Sequence, residues 1–156
     1  MLYILNRDIF LDKHEAIAHG CNCFNTWGKG IAVDMKQRFP LLFESDLRTL
    51  KGDRSKLGKF SSYITPQLAM FNLYSQYTYW DRSDMFSSKH YQLALSDACK
   101  LCDNLNIKSI SIPAIGLGLA NGDIEEILWI NDQCSRIIDI NWYILDKELF
   151  DKIINF

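Results

Sequence analysis

The sequence lacks a surplus of basic charge. Across 156 residues, 17 lysines and arginines stand against 19 aspartates and glutamates, for a formal net charge of −2. Affinity for a nucleic-acid backbone depends mainly on neutralised phosphates. Here the basic residues are scattered and matched by acids, so there is no strong nucleic-acid signal. A small anionic ligand held by backbone N–H groups needs no such surplus. Also missing is any stretch near the roughly 18 to 20 uninterrupted apolar residues of a membrane span. The first residues, Met1-Leu2-Tyr3-Ile4-Leu5-Asn6-Arg7-Asp8, meet charge too soon for a signal peptide. A soluble, cytoplasmic protein without a membrane partner is expected. The five cysteines are an odd number, and with no export signal they argue against a disulfide framework. Cys99-Lys100-Leu101-Cys102 has no second pair at zinc spacing. His19, Cys21 and Cys23 read as reduced thiols and a histidine lining a loop. Neither a metal nor a cofactor is expected, and the sequence is silent on oligomeric state.

Apolar residues make up 48% of the chain, enough to fill an ordinary core, and the length suits a single domain over residues 1–156. Short apolar runs at residues 2–5, 16–19, 59–65, 70–74, 109–112 and 139–145 read as strands. Helical spacing marks residues 31–39, where Ile31, Met35 and Phe39 recur, and a second stretch over residues 41–50. Between these two, Pro40 stops or kinks the chain. A third helix carries Tyr91, Leu95, Ala98 and Cys102, with Ser88 as its candidate cap. A fourth begins at Asp123 with Ile127, Ile130, Cys134 and Ile137 on one side, and a fifth begins near Lys147. The aromatic, polar segment 75–88 reads as a loop. Strands alternating with helices predict a three-layer α/β/α domain with a mostly parallel sheet, which binds ligands outside the carboxyl ends of its strands.

Two loops carry the chemistry. The first is His19-Gly20-Cys21-Asn22-Cys23-Phe24-Asn25-Thr26-Trp27-Gly28-Lys29-Gly30-Ile31-Ala32. Gly28 and Gly30 let a ligand approach the backbone. The helix that opens at Ile31 offers free N–H groups and the positive end of its dipole to a phosphate. Asn22 and Asn25 can donate to and accept from sugar hydroxyls. A tight strand-to-helix connection with capping asparagines accounts for the same residues. The second loop, Ser111-Ile112-Pro113-Ala114-Ile115-Gly116-Leu117-Gly118-Leu119, repeats the order strand, G-x-G, helix. One G-x-G is weak evidence, but two on one sheet point to a ligand with two phosphates. G-K-[ST] is absent, as is G-x-G-x-x-G at the first strand.

The first loop, with Gly28-Lys29-Gly30-Ile31-Ala32, resembles the macrodomain family. Ile115-Gly116-Leu117-Gly118-Leu119 is similar to that family's second loop. Arg7-Asp8-Ile9-Phe10 is similar to its opening segment, and Phe71-Asn72-Leu73-Tyr74-Ser75-Gln76 to a central strand. The likeness runs in order along nearly the whole chain, toward the branch holding ADP-ribose-1″-phosphate phosphatases and terminal ADP-ribose protein glycohydrolases. The resemblance implies a mixed, mostly parallel macrodomain sheet with ADP-ribose or a derivative as the small-molecule ligand. It implies that Asp8 accepts from the adenine amino group and that Ile9 touches the ring. Asn22 would contact the distal ribose, while Gly28, Lys29, Gly30 and Ile31 wrap that ribose and a phosphate. The second loop, from Ala114 through Gly116, Leu117, Gly118 and Leu119, would supply N–H groups to the pyrophosphate. For Asp8 a turn cap is the alternative, and Arg7 stands where the family has glycine.

The reaction is less fixed than the ligand. The glycohydrolases of this branch place a lysine where this sequence has Gln76, and an aspartate where it has Ala120. An amide cannot form the Schiff base that their chemistry needs. The phosphatases often carry Gly-Asp at the start of the next helix, which Gly122-Asp123 matches. That suggests Asp123 and His19 as acid–base groups acting on water, although an aspartate there is also a good helix cap. Hydrolysis of an ADP-ribose derivative is the leading expectation. The alternatives are a non-catalytic binding module and a glycohydrolase acting on modified protein or nucleic acid. Trp27 reads as a possible lid, and Tyr74, Tyr77, Tyr79 and Trp80 chiefly as core and loop packing.

Overall fold

The structure, a computed structural model, describes residues 1–118 and 120–156. The strands are β1 (Leu2–Leu5), β2 (Ala16–Cys21), β3 (Phe60–Ile64), β4 (Ala69–Tyr74), β5 (Ser109–Ile112) and β6 (Asp139–Tyr143). They form one sheet in the order β1-β6-β5-β2-β4-β3. Every neighbouring pair is parallel except β3 with β4. The helices are α1 (Ile31–Arg38), α2 (Pro40–Leu47), α3 (Ser88–Asn104), α4 (Ile124–Cys134) and α5 (Lys147–Ile154). Among the described residues no helix is long and apolar enough to cross a membrane.

Alternation along the central strands fills both faces of the sheet. In β2 and β4, Ala16, Ala18, Ala69, Phe71 and Leu73 point to one side. There they meet Tyr91, Leu95 and Ala98 of α3 and Ile127 and Ile130 of α4. Ile17, Cys21, Met70 and Tyr74 point to the other side, against Met35 of α1 and Leu42 of α2. The α/β/α layering expected from the sequence follows, with α1 and α2 on one face and α3, α4 and α5 on the other.

Element boundaries differ from the sequence reading where tertiary pairing overrides local pattern. β2 continues through Gly20 to Cys21, because both residues pair with Leu73 and Tyr74. Pro40 begins a helix as well as ending one. Its missing N–H costs nothing at the first helical position, and it holds Phe39 out of the helical region at φ −130°, ψ 67°. α4 ends at Cys134, so Ile137 lies beyond it. The cap of α3 is Ser87, whose side chain accepts from the backbone N–H of His90, and Ser88 is the first helical residue. Ser87→Ala is therefore expected to cost about 1 kcal/mol and Ser88→Ala much less, as read by urea denaturation of the two variants.

Candidate ligand cleft

A cleft of about 760 Å³ lies along the carboxyl edge of the sheet. Because β2 and β5 are parallel neighbours, joined at Ile17 and Ser111, both glycine loops leave the same edge. The segments after β1 and β4 and the end of β6 with its following turn add to the lining: Arg7, Asp8, Ile9 and Phe10, then Gln76 and Tyr79, then Tyr143, Leu145 and Asp146. Of the residues singled out in the sequence, Asp8, Ile9, Asn22, Gly28, Lys29, Gly30, Ile31, Ala114, Gly116 and Gly118 meet at this cleft.

The glycines divide by cause. Among the described residues, a Cβ at Gly28 or Gly118 would meet nothing within 4 Å, so their packing does not demand glycine at either position. Both border the cleft and leave their backbones open to a ligand. Gly116 is different. Its φ of +82° suits glycine, and an added Cβ would stand 2.6 Å from the Phe86 ring. Its carbonyl accepts from Gly122 N at 2.6 Å, which closes the second loop against the start of α4. Gly30, at φ +62°, is the residue before α1 and has no side chain to cap it. No side chain caps the first N–H groups of that helix, and its opening residues Ile31 and Ala32 line the cleft, the arrangement that suits an anion.

Other side chains shape the loops as well as the cleft. Asn22 Oδ1 accepts from Phe24 N at 2.8 Å, and its Nδ2 donates to the Thr26 carbonyl at 2.9 Å. Asp8 Oδ1 accepts from Phe10 N at 3.0 Å, so the turn-cap alternative and a place in the cleft both hold. Arg7 is not among the left-handed residues, and its guanidinium pairs with Asp12 at 2.8 Å, so the loss of glycine there costs no strain.

Several expectations need correction. His19 is fully buried, and it stacks edge-on against Trp27 at 4.5 Å rather than lining the cleft. The Asn72 amide nitrogen donates to the Leu42 carbonyl and to the Ser45 and Ser61 hydroxyls, which leaves Asn72 Oδ1 to accept from His19 Nε2 at 2.8 Å. That fixes the proton on Nε2, so the ring has no free N–H or lone pair to offer the nearby Cys21 sulfur at that nitrogen. Burial pushes the His19 pKa down to about 4 and raises the Cys21 thiol well above its ordinary value, so both are neutral near pH 7. Asp123 is exposed, outside the lining, and accepts from Glu126 N as the N-cap of α4. Asn25 also lies outside the lining and turns its side chain inward to Lys56 and Thr49. Leu117 packs against the core under the second loop, and Leu119 lies outside the described residues. Trp27 lines the cleft as fixed wall rather than as a lid: it is 6% exposed, and its Nε1 donates to Asp46 at 2.8 Å. Of the aromatic stretch, Tyr74 is core, while Tyr79 borders the cleft with half its surface exposed.

The sequence reading missed the wall made by Tyr143, Leu145 and Leu149, which come from the end of β6 and from α5. It also missed Phe86 beneath Gly116. Neither carried a local signal, since a strand end and a loop aromatic acquire this role only when the chain folds.

Two measurements test this geometry. Gly116→Ala should destabilise by roughly 2–4 kcal/mol through left-handed strain and overpacking, whereas Gly118→Ala should stay within about 0.5 kcal/mol. Denaturant midpoints compare them. The second concerns His19, whose folded pKa of about 4 lies below the ordinary 6.5. The unfolded chain therefore takes up the proton first. Stability should be intact above pH 6.5 and fall by on the order of 3 kcal/mol as pH drops through 4. His19→Gln should flatten that part of the profile of Tm against pH.

The sequence profile described as Macro domain matches residues 18–130, which include both glycine loops. An uncharacterised 17.5 kDa protein of the tk-vs intergenic region of Enterobacteria phage T4 is 36% identical over 135 residues, which cover 81% of this chain and 85% of that one. A DNA ADP-ribosyl glycohydrolase of Mycobacterium tuberculosis is 27% identical over 124 residues. That match takes in 77% of this chain and 34% of the relative, so the chain spans about a third of that protein's length. The structure of Thermosipho africanus DarTG in complex with ADP-ribose shares the fold, with a TM-score of 0.72 at 19% identity over 94% of this chain and 42% of the other. With the family profile matched over the segment that carries both glycine loops, and with the sheet described above, the chain belongs to the macrodomain family.

Proposed function

We propose that this chain binds ADP-ribose or a close derivative in the cleft, with residues 1–156 acting as one binding domain in the cytoplasm. One observation carries the reading: two glycine loops on adjacent parallel strands open onto one cleft, and among the described residues no atom lies within 4 Å of a Cβ placed on Gly28 or Gly118. The ligand's length maps onto strand order. At the β1 end, Ile9, Tyr143 and Leu145 make an apolar wall beside Asp8, which suits adenine. The two loops in the middle suit the pyrophosphate, and Asn22 with Gln76 at the β4 end suits the distal ribose. Support also comes from the ADP-ribose complex of the DarTG fold relative and from the name of the Mycobacterium relative.

The cleft favours recognition ahead of turnover. Asp123 caps a helix, and His19 is neutral and enclosed. Gln76 lines the cleft with its Nε2 donating to the Thr78 carbonyl, and an amide cannot attack a sugar as an amine does. That reading disfavours lysine-dependent removal of ADP-ribose from protein or nucleic acid. Release of phosphate from ADP-ribose 1″-phosphate is the second reading. Its support is the bond from Gly122 N to Gly116 O, which seats the start of α4, and with it Asp123, next to the second loop.

Calorimetric titration tests the first reading. Wild type should bind ADP-ribose at one site, and Gly118→Glu, folded but with a carboxylate in the phosphate position, should bind roughly 100-fold more weakly, about 2.7 kcal/mol, or not at all. Undiminished affinity in the folded variant would refute the assigned site. Lys29→Ala should matter less, since backbone N–H groups make the phosphate contacts. Phosphate release from ADP-ribose 1″-phosphate by wild type, lost in Asp123→Ala, would promote the second reading; the expected result is binding of that compound without release.

A further inference from the structure

Beneath the first glycine loop lies a buried polar cluster built on Lys56 and Asp46, neither of which lines the cleft described above. Lys56 is 7% exposed. Its Nζ donates to the Cys23 carbonyl at 3.1 Å and to Asn25 Oδ1 at 2.9 Å, and stands 4.9 Å from the centre of the Tyr74 ring. No carboxylate oxygen among the described residues lies within ion-pair distance of it. A buried ammonium without an ionic partner is expensive, and both of its hydrogen-bond acceptors belong to the first loop. Asp46, fully buried on α2, accepts from Trp27 Nε1 at 2.8 Å and from the Tyr74 hydroxyl at 2.6 Å.

The pattern along the loop is alternate. The Cys23 carbonyl, the Asn25 side chain and Trp27 Nε1 are tied inward by this cluster, while Asn22, Thr26, Gly28 and Gly30 border the cleft and Trp27 reaches both. Asn25 sits in the left-handed region at φ +57°, which an L-residue adopts at some cost. Its side chain is held there by Lys56, which donates to its Oδ1, and by the Thr49 carbonyl, to which its Nδ2 donates at 3.4 Å, while Thr49 Oγ1 donates to the Asp46 carbonyl at 2.6 Å. The Cys23 carbonyl accepts a second bond, from Gly52 N at 2.7 Å.

We propose that Lys56 and Asp46 are positioning residues: acting through Cys23, Asn25 and Trp27, they fix the first glycine loop in its ligand-accepting form before the ligand arrives. This rests on the ADP-ribose reading for the identity of the ligand, but not for the state of the loop. A loop already ordered gives up less freedom on binding, so the cluster raises affinity without touching the ligand.

The test pairs Lys56→Met, which keeps the apolar stem and removes the donors, with Lys56→Arg, which restores them. Affinity for ADP-ribose and amide hydrogen exchange of the free proteins are measured on both. Lys56→Met should bind roughly 10-fold or more weakly. Exchange should speed up over residues 22–30 and keep wild-type rates in β2, β4 and the second loop. Lys56→Arg should recover most of the affinity. Asp46→Asn, which leaves one of its two donors without an oxygen acceptor, should follow Lys56→Met. Wild-type affinity in a folded Lys56→Met, an Lys56→Arg as weak as Lys56→Met, or faster exchange across the whole sheet would overturn the proposal. If Lys56→Met does not fold, Asn25→Gly, whose native φ glycine adopts freely, removes the same anchor, and unchanged affinity there would overturn it equally. Failure of wild type to bind ADP-ribose would count against the ligand alone, because the exchange comparison needs none.

Discussion

The parallel pairing of β2 with β5 sets the direction in which two loops leave the sheet, and the rest of the site depends on it. Antiparallel strands would send one loop to each edge. Side by side and parallel, they place Gly28–Gly30 and Gly116–Gly118 on one cleft, which the opening residues of α1 also line. The neighbouring strands extend the same edge, so the cleft gains an apolar wall at β1 and β6 and a polar end at β4. Burial on both faces of the sheet holds the strands in register, since slipping one residue would exchange Ala18 and Phe71 with His19 and Asn72.

An anion site built from backbone explains how a chain of net charge −2 can suit a diphosphate. The N–H groups of a helix start and of glycine loops are fixed by the fold and need no excess of lysine. Lys29 is exposed at the rim, and the cation beneath the first loop, Lys56, is spent on the loop's own carbonyl and amide oxygens. The first loop is thus tied from below by a group that does not line the cleft.

Much of this was legible in the sequence because it is written in local pattern. The order of strands and helices follows from apolar periodicity, and the two G-x-G loops from their places after strands. The failures share a cause. His19, Asn25 and Trp27 were polar or aromatic residues in a promising loop, but which way each points depends on strand parity and on partners distant in sequence: Asn72, Lys56 and Asp46. Asp123 showed the limit of a motif, since the same aspartate serves as a helix cap. Asp46 and Lys56 gave no signal, because a charged residue on a short helix or turn reads as surface until the fold encloses it.

The central claim is that the two loops form one ligand site. Titration of isotopically labelled protein with ADP-ribose, following backbone amide resonances, tests it most directly. The N–H signals of Gly28, Gly30 and Ile31 should move together with those of Gly116 and Gly118 and saturate along one binding curve. Movement confined to one loop, separate curves for the two, or changes centred away from the carboxyl edge of the sheet would contradict it.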